Sequence, residues 1–170
     1  PLYKIFKKIL DDQFWSYARF FHTKCDFFFA PTKFADREFL KYVPVKDHGV
    51  VSNGIDLSYW GRNEFTKEEA RESLKLPKEK KILLFVGRIS AEKRIDFLIK
   101  SLKPNFESGE VILVVVGTGP KFKIYQEMLK ELKLKSKVIF TGEIKDEVLK
   151  KYYQAADLFV SASKGELQGL

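Results

Sequence analysis

Apolar positions in the first part of the chain recur at two different spacings. Within residues 3–24 the apolar side chains follow one another every three or four positions, at Phe6, Leu10, Phe14, Tyr17 and Phe21. This spacing places them on one face of a helix, so the segment is predicted to be an amphipathic helix that faces a core. Shorter apolar runs at 25–30 and 48–52 predict two strands, and Thr32 is placed to begin a helix between them.

A regular alternation of strand-like and helix-like segments begins after residue 60. Thr66 and Glu69 have the spacing of a capping box, which predicts the start of a helix. Continuous apolar runs then predict strands that are covered on both faces, at 81–86, 111–116, 137–140 and 158–161. Amphipathic stretches predict the helices between these strands, near 93–102, 121–132 and 146–155.

This alternation predicts an α/β fold. Successive strand–helix–strand units form a parallel sheet with flanking helices, which is a Rossmann-like arrangement. The earlier segments predict the tail of a second α/β domain, and the turn signal at Asn53-Gly54 indicates where the two would join. The predicted domains are therefore residues 1–56 and residues 57–170.

The composition favours anionic partners. The 170 residues include 31 Lys and Arg against 23 Asp and Glu, a net charge of +8, which suits a phosphorylated ligand, a lipid headgroup surface or nucleic acid. Nucleic-acid binding has no motif behind it besides this charge and is not expected. No apolar run in the sequence is long enough to span a membrane, and His22 and His48 lack the neighbouring ligands of a metal site. Cys25, the one cysteine, excludes an intramolecular disulfide and is expected to be a small buried residue.

The segment after the run at 81–86 carries the most informative chemistry. Gly87 ends the apolar run, Arg88 follows directly, and Lys93 comes five residues later, where a helix is predicted to begin. Open α/β sheets bind phosphorylated ligands at the carboxyl ends of their strands, and helix N-termini favour anions. Arg88 and Lys93 therefore predict a phosphate-binding site. The alternative is that both are ordinary solvated surface cations.

Other strand ends add candidate residues at the same sheet edge. Gly117 and Gly119 permit either a plain turn or a close approach of the backbone to a ligand. Phe122 stands where the dinucleotide fingerprint needs its third glycine, so an NAD enzyme is not expected. Residues 141–144 are placed either to floor a nucleobase pocket or simply to end a strand. Glu166, after the last strand, is either a contact to sugar hydroxyls or a solvated carboxylate.

Taken together, these segments resemble the retaining glycosyltransferases of family 4, the group 1 glycosyltransferases, which have the glycosyltransferase-B fold of two facing Rossmann-like domains. The resemblance covers nearly the whole chain, through five segments in the order of the family: 51–56, 86–93, 115–120, 138–142 and 152–166. Each segment alone is weakly specific, whereas five in order are highly specific. The resemblance implies that the early N-terminal domain and the end of the C-terminal domain lie outside this sequence.

The resemblance also implies roles for side chains. Arg88 and Lys93, next to Gly87, would bind the diphosphate of a UDP- or GDP-hexose donor in the C-terminal domain. Glu166 would be the first glutamate of the paired-glutamate motif of the family and would contact the sugar. The second glutamate is expected eight positions later, beyond the end of this sequence. No metal ion or other cofactor is required.

Backbone contacts are implied as well. The segment around Ile144 would touch the base, and Gly117 would lie beside the donor. Backbone amides at Gly169 and Leu170 would lie near the sugar and the phosphates.

The leading hypothesis is therefore a hexosyltransferase that acts on a lipid or saccharide acceptor, in glycolipid or cell-envelope glycan synthesis. In this family the enzyme mainly orients the sugar and stabilises the departing nucleoside diphosphate, without a clear protein nucleophile. The segment 163–170, Ser-x-x-Glu-x-Gln-Gly-Leu, looks most like that of glycolipid synthases such as diacylglycerol glucosyltransferases. The chain as given is expected to be inactive by itself.

The alternative hypothesis is a non-catalytic module that binds a nucleotide or docks on a membrane surface, and its support is the net charge. The expected location is the cytoplasm, with peripheral contact to the anionic inner face of the cell membrane. The basic, aromatic first helix offers such a contact, although a helix that faces a core is favoured.

Overall fold

The computed structural model describes residues 2–168, with side chains from Lys7 onward. Gly169, Leu170 and the side chain of Phe6 lie outside this described part. Contacts divide the chain into two units, of which the first comprises Pro1–Ile55 together with Glu166–Leu170 and the second comprises Asp56–Gly165. The sequence instead predicts that residues 166–170 belong to the later domain.

The first unit combines helices with a small parallel sheet, in the order α1 (Leu2–His22), β1 (Phe28–Ala30), α2 (Lys33–Leu40) and β2 (His48–Val50). β1 and β2 pair in parallel, with Phe28 opposite His48. α2 begins after Thr32, whose hydroxyl oxygen accepts a hydrogen bond from the Ala35 N–H at 3.0 Å. The structure contains all four elements predicted for this region, with ends that differ by a few residues.

Aromatic contacts hold α1 to the rest of the first unit. Trp15 stacks on Tyr42 with ring centroids 4.2 Å apart, which joins α1 to the segment after α2. Phe28 of β1 stacks on Phe39 of α2 at the same centroid distance. These pairs provide the packing that this small sheet, with three residues in each strand, lacks.

Much of the apolar stripe of α1 nevertheless lies at the surface. Phe14, Tyr17 and Phe21 are 61%, 66% and 54% exposed, so the prediction of a core-facing helix is wrong at these positions. Periodicity identifies the apolar face of a helix, whereas the elements that cover the face depend on the rest of the fold. Cys25 is also exposed, against the prediction of a buried residue, because it lies in the turn after α1 and outside β1.

The second unit contains the predicted alternation of strands and helices. Its elements are α3 (Leu57–Trp60), α4 (Lys67–Ser73), β3 (Lys81–Val86), a 3₁₀ turn (Ala91–Lys93), α5 (Ile95–Ser101), α6 (Lys103–Glu107), β4 (Val111–Val116), α7 (Phe122–Glu131), β5 (Val138–Gly142), α8 (Asp146–Ala155) and β6 (Leu158–Phe159). The strands form one parallel sheet in the order β5-β4-β3-β6, with Lys81 opposite Val111 in the central pair. The predicted α/β class with a Rossmann-like parallel sheet is confirmed.

Helices cover this sheet on both faces, because alternate residues of a strand point to opposite sides. On one face, Leu113 and Val115 of β4 belong to a cluster with Phe85 and residues of α5, α6 and α7. On the other face, Ile112 and Val114 belong to a cluster with residues of α4 and α8. Both faces of β4 are therefore buried, which explains its continuous apolar sequence.

The segment after β3 differs from the sequence prediction. One helix is predicted near 93–102, but the structure has the 3₁₀ turn and then a separate seven-residue α5. Arg94 between them has a φ of +52°, the left-handed conformation, which interrupts the helical path. Lys93 therefore ends a turn and does not begin a helix. The helix N-terminus that the phosphate-site prediction included lies two residues later, where α5 begins at Ile95.

A buried arginine joins α4 to the residues before β6. Arg71 is 6% exposed, and its guanidinium donates to the Ala155 carbonyl oxygen at 3.0 Å and to the Asp157 carboxylate at 2.6 Å. Asp157 also accepts the N–H of Ile82, the second residue of β3, at 2.7 Å. Burial raises the pKa of this carboxyl, but hydrogen bonds from the Ile82 N–H and Lys67, together with the Arg71 charge, lower it to about 2. The network anchors β6 beside β3.

Candidate functional site

The predicted site residues of the second unit lie at the carboxyl ends of its parallel strands. The chain moves outward from β3 through β4 to β5 and then returns to the other side of β3 as β6. Ligands of open α/β sheets bind in the crevice at such a reversal of strand order. The loops after β3 and β6 flank this crevice. The Lys164 N–H of the loop after β6 contacts the Glu92 carbonyl oxygen of the loop after β3 at 3.4 Å.

The backbones of neighbouring strand ends pack closely at this edge. The Gly117 N–H donates to the Gly142 carbonyl oxygen at 2.9 Å. A Cβ at Gly117 would lie 2.2 Å from the Gly87 carbonyl oxygen, and one at Gly119 would lie 2.4 Å from the Ile89 carbonyl oxygen. Neighbouring backbone atoms therefore leave no room for a side chain at Gly117 or Gly119, and close packing explains why both residues are glycine. The ligand-facing role of Gly117 stays a prediction.

Arg88 projects from a firmly held stretch of backbone. It follows Gly87 and is exposed, whereas the next residue, Ile89, is fully buried. The Ile89 N–H donates to the Thr118 carbonyl oxygen at 2.9 Å, and the Ile89 carbonyl oxygen accepts from the Lys121 N–H at 3.0 Å. The loop after β3 is thus fixed to the loop after β4, and its exposed cation stands at the crevice.

Lys93 shares its surroundings with a carboxylate. It is half-buried at the end of the 3₁₀ turn, and Glu92 in the same turn accepts a hydrogen bond from the buried Ser90 hydroxyl. This bond and one from its own N–H lower the pKa of Glu92; burial opposes them, and the charges of Arg88 and Lys93 add to the lowering. Both cations therefore act on one carboxylate. Glu92 directly precedes Lys93 in the sequence, but its hydrogen bond with Ser90 is visible only in the folded turn.

Ile144 follows β5 at the same edge of the sheet and is half-buried. Its side chain packs against the cluster of the sheet face that α4 and α8 cover. Because the side chain packs in the core, a contact to the nucleobase at this position would come from the backbone, as the resemblance implies.

The loop after β6 contains a buried polar atom that the fold leaves unsatisfied. The Ser163 hydroxyl oxygen has no hydrogen-bond partner within residues 2–168. Buried hydroxyl groups of folded proteins are normally hydrogen-bonded, so one without a partner beside a crevice is a candidate ligand contact. Ser163 lies in a segment of the family resemblance, but the sequence predicts no role for it, because burial is visible only in the fold.

Glu166 belongs to the first unit and not to the unit that contains the crevice. It is exposed, and the residues that follow it, Leu167 and Gln168, are hydrogen-bonded to other residues of the first unit. Gly169 and Leu170 fall outside the described residues. The structure brings the remaining predicted residues together at one sheet edge of the second unit: Gly87, Arg88, Lys93, Gly117 and Ile144.

Within residues 2–168, no group of three or more His, Cys, Asp or Glu side chains is arranged to hold a metal ion. In that same part of the chain, no helix has the length and apolar character needed to cross a membrane.

A cavity of about 360 Å³ lies in the first unit, lined in part by Arg19, His22, Asp26 and Lys46. None of the described residues predicted to bind the donor is among those that line it.

The sequence of the second unit matches a known family. The family model described as "Glycosyl transferases group 1" matches residues 66–170, more than half of the chain. The chain belongs to the group 1 glycosyltransferases. The group 1 assignment that the ordered motifs predict is therefore confirmed, and this group 1 glycosyltransferase has its cationic loop, with Arg88 and Lys93, inside the matched region.

Curated relatives agree with this assignment. The chain is 37% identical over 139 residues to an alpha-monoglucosyldiacylglycerol synthase of Streptococcus pneumoniae, a match that covers 79% of this chain and 32% of the relative. The chain spans about a third of the length of the curated relatives it matches.

Two solved structures illustrate the similarity of fold. Sucrose-phosphate synthase from Thermosynechococcus elongatus matches with a TM-score of 0.72 and 24% identity, covering 86% of this chain and 37% of that one. Anabaena HepE in complex with UDP matches with a TM-score of 0.68 and 20% identity, covering 81% of this chain and 38% of that one. Structures of this group have the glycosyltransferase-B fold.

Proposed function

We propose that this group 1 glycosyltransferase is a retaining enzyme of family 4 that transfers a hexose from a UDP- or GDP-hexose donor to a lipid or saccharide acceptor. The reaction would belong to glycolipid or cell-envelope glycan synthesis. The observation that carries the proposal is the loop after β3, which presents Arg88 and Lys93 beside the reversal of strand order in a chain of this family.

Arg88 and Lys93 would bind the diphosphate of the donor. A diphosphate leaving group gains negative charge as its bond to the sugar breaks, and fixed cations stabilise that charge. The Arg88 guanidinium offers paired N–H donors to phosphate oxygens, and the Lys93 ammonium adds a compact second charge. Each such charge-assisted hydrogen bond contributes about 1.5–3 kcal/mol.

The strand ends would receive the rest of the nucleotide. Gly87 and Gly117 leave the backbone of the crevice without side chains, so a phosphate group can approach it closely. The backbone around Ile144 would contact the base. The unsatisfied Ser163 hydroxyl is a further candidate donor contact, since a ligand oxygen there would supply the partner that the fold does not.

Glu166 would hold the hexose, because a carboxylate accepts strong hydrogen bonds from sugar hydroxyl groups. The family resemblance assigns backbone N–H groups at Gly169 and Leu170 to the sugar and the phosphates. With the donor held in this way, the acceptor hydroxyl would attack on the face from which the diphosphate departs, and the anomeric configuration would be retained. The enzyme supplies orientation and charge stabilisation, and no protein nucleophile is assigned.

A lipid is the first candidate for the acceptor. The Streptococcus pneumoniae relative is named as a synthase of alpha-monoglucosyldiacylglycerol, and the net charge of +8 favours association with an anionic lipid surface. We therefore infer peripheral association with the cytoplasmic face of the membrane.

Nucleotide binding by the full-length protein tests the diphosphate site. Calorimetric titration is expected to detect binding of UDP or GDP, and Arg88→Ala is expected to weaken it at least about tenfold because a charge-assisted hydrogen bond is lost. Lys100→Ala, which removes an exposed charge from α5 of the same unit, is the matched control and leaves the affinity unchanged. An unchanged dissociation constant in Arg88→Ala would refute the role assigned to that residue.

Transfer assays test the reaction. The full-length protein is incubated with UDP-glucose, UDP-galactose or GDP-mannose and vesicles that contain diacylglycerol or glucosyldiacylglycerol. A glycosylated product supports the proposal, and its anomeric configuration by NMR decides between retention and inversion. A non-catalytic module is favoured instead if liposome binding persists in the Arg88→Ala, Lys93→Ala double variant while the wild type binds neither UDP nor GDP.

A further inference from the structure

The loop after β3 holds a carboxylate in a defined place beside its two cations. Glu92 lies in the 3₁₀ turn Ala91–Lys93, and Ser90 stands directly before that turn. A serine at such a position ordinarily accepts a backbone N–H of the turn, but the Ser90 side chain makes no cap of this kind. Its hydroxyl, in a residue that is 5% exposed, donates to the Glu92 carboxylate instead. The serine therefore fixes the carboxylate.

The backbone of this loop is itself firmly held. The Ser90 N–H donates to the Arg88 carbonyl oxygen at 3.1 Å, and the Lys93 N–H donates to the Ser90 carbonyl oxygen at 3.3 Å. The Glu92 carbonyl oxygen contacts the Lys164 N–H of the loop after β6, which belongs to the same unit. Because all three charged side chains project from one ordered stretch of the loop, the carboxylate stays near the cations.

The charges of these side chains interact. Hydrogen bonding from the Ser90 hydroxyl is the largest cause of the lowered pKa of Glu92, and the charges of Arg88 and Lys93 add to the lowering. Such an interaction is mutual, so the carboxylate offsets part of the positive potential that the cations present to an anion. With two cations and one carboxylate in residues 88–93, the loop presents the net charge of a single cation.

The two nucleotides of the proposed reaction differ in charge. In a nucleotide sugar, each of the two phosphate groups has one ionised oxygen. When the hexose leaves, the outer phosphate gains a second ionisable oxygen with a pKa of about 6, so the released diphosphate carries nearly one more negative charge at neutral pH. Cations without a nearby carboxylate would therefore favour the product strongly over the donor.

We propose that Glu92 is a specificity-determining residue, whose carboxylate weakens the binding of the nucleoside diphosphate product more than that of the nucleotide-sugar donor. This inference rests on the proposed function, because it requires a diphosphate at Arg88 and Lys93. It adds that the same loop limits how tightly the product is held. Glu92 acts through the electrostatic potential of the site and is not a catalytic residue.

The consequence for the reaction is easier product release. Differences in affinity between related complexes arise mostly in the dissociation rate, and product release limits turnover in many enzymes. The carboxylate costs less in the transition state than in the product complex, because the leaving diphosphate has then gained only part of its charge. The loop thus keeps most of the charge stabilisation that Arg88 and Lys93 provide, while the product can leave.

Calorimetric titration of the full-length protein with UDP and GDP tests the electrostatic effect. Glu92→Gln removes the charge, and its amide oxygen can still accept the Ser90 hydroxyl. For the nucleotide that the wild type binds, this variant is expected to lower the dissociation constant about fivefold, a moderate effect because solvent screens an exposed charge. Glu131→Gln, at an exposed glutamate of α7, is the matched control and leaves the constant unchanged. A change of less than about 1.5-fold in Glu92→Gln overturns the proposal.

Salt and the choice of ligand separate charge from shape. At about 1 M NaCl the Debye length is about 3 Å, so the difference between the wild type and Glu92→Gln is expected to fall below about twofold. The dissociation constant of the nucleotide sugar, measured without acceptor, should fall only about threefold, in proportion to its smaller charge. A difference that persists in high salt, or an equal effect on both ligands, contradicts an electrostatic role.

Product inhibition connects the binding effect to the reaction. With the nucleotide sugar as the varied substrate, the inhibition constant of the diphosphate is expected to fall about fivefold in Glu92→Gln. Ser90→Ala keeps the charge of Glu92 but frees its side chain, so the inhibition constant should fall only about twofold. An inhibition constant in Glu92→Gln equal to that of the wild type overturns the proposal.

Two further outcomes separate the proposal from its neighbours. If Glu92→Gln lowers the melting temperature and weakens nucleotide binding, the residue only supports the fold of the loop and the proposal is overturned. If the wild type binds neither UDP nor GDP, the proposed function fails and this inference fails with it. Binding by the wild type with an unchanged dissociation constant in Glu92→Gln overturns this inference alone.

Discussion

The two units bury their apolar residues to different extents, although both are built from amphipathic helices and parallel strands. In the second unit, α7 directs Tyr125 and Leu129 into the core, and both are at most 6% exposed. In the first unit, the comparable face of α1 leaves Tyr17 and Phe20 66% and 64% exposed. The sheet of the second unit has four strands to cover, whereas that of the first has two short ones. The burial of the apolar face of a helix therefore depends on the neighbouring surface against which it can pack, and not on the periodicity of the helix.

Truncation of a core aromatic in the second unit should give the largest effect. Phe85→Ala is expected to lower the free energy of unfolding by about 4 kcal/mol, because Phe85 is 2% exposed and its loss leaves a cavity. Phe20→Ala on α1 is expected to change it by less than about 0.5 kcal/mol. Urea unfolding measures both, with Trp60 reporting on the second unit and Trp15 on the first, each after the other is replaced by Phe.

The Phe20→Ala variant tests whether the exposed face of α1 is also exposed in solution. A cost above about 1 kcal/mol would mean that the exposed face of α1 is covered in solution. The contrast between the two units would then reflect an additional contact and not a difference in their internal packing.

The next effect comes from the charge network of the second unit. Asp157→Asn is expected to cost about 3 kcal/mol, since it leaves the buried Arg71 without its ionic partner. Glu72→Gln is the control, because the Glu72–Lys78 pair is exposed and such pairs contribute less than about 1 kcal/mol. Urea unfolding observed through Trp60 checks both variants. Equal costs would show that Arg71 is adequately satisfied by backbone carbonyls.

The pH dependence of that difference follows from the lowered pKa of Asp157. Its folded pKa of about 2 lies below the ordinary value of 3.8, so ionised Asp157 stabilises the fold above the unfolded pKa. This contribution is lost as the pH falls through about 2, where the folded carboxyl becomes protonated. The stability gap between wild type and Asp157→Asn should therefore shrink between about pH 5 and pH 2. A gap that stays constant over this window would contradict the assignment of the effect to the carboxylate charge.

The same contrast explains which parts of the fold could be predicted from the sequence. β3, β4 and α8 have the predicted bounds, because strands buried on both faces are continuous apolar runs and α8 has a clear amphipathic pattern. The interruption at Arg94 could not be predicted, since a left-handed φ is uncommon for a residue other than glycine. The exposure of the α1 stripe could not be predicted either, because it depends on neighbours far away in the sequence.

For the candidate site, the sequence located the cationic loop because Gly87 and Arg88 follow directly on an apolar run. It could not reveal the Ser90–Glu92 hydrogen bond or the unsatisfied Ser163 hydroxyl, because the first depends on the folded turn and the second on burial. It also could not show that the residues after Glu166 are bonded to the first unit. Patterns in one chain report local structure, whereas these contacts join distant segments.

The smallest predicted effects compare matched helix caps in the two units. Thr66→Ala removes the hydroxyl that accepts the Glu69 N–H at the start of α4 and is expected to cost about 1 kcal/mol. Thr32→Ala removes the cap of α2 and also the bond to the Leu167 carbonyl oxygen, so it is expected to cost about 1–2 kcal/mol. Urea unfolding through Trp60 and Trp15 gives the two values, and Thr→Ser variants, which keep the hydroxyl, should recover most of each. If Thr32→Ala costs less than Thr66→Ala, the bond to Leu167 adds no stability, and the segment after Glu166 would depend on Gln168 alone.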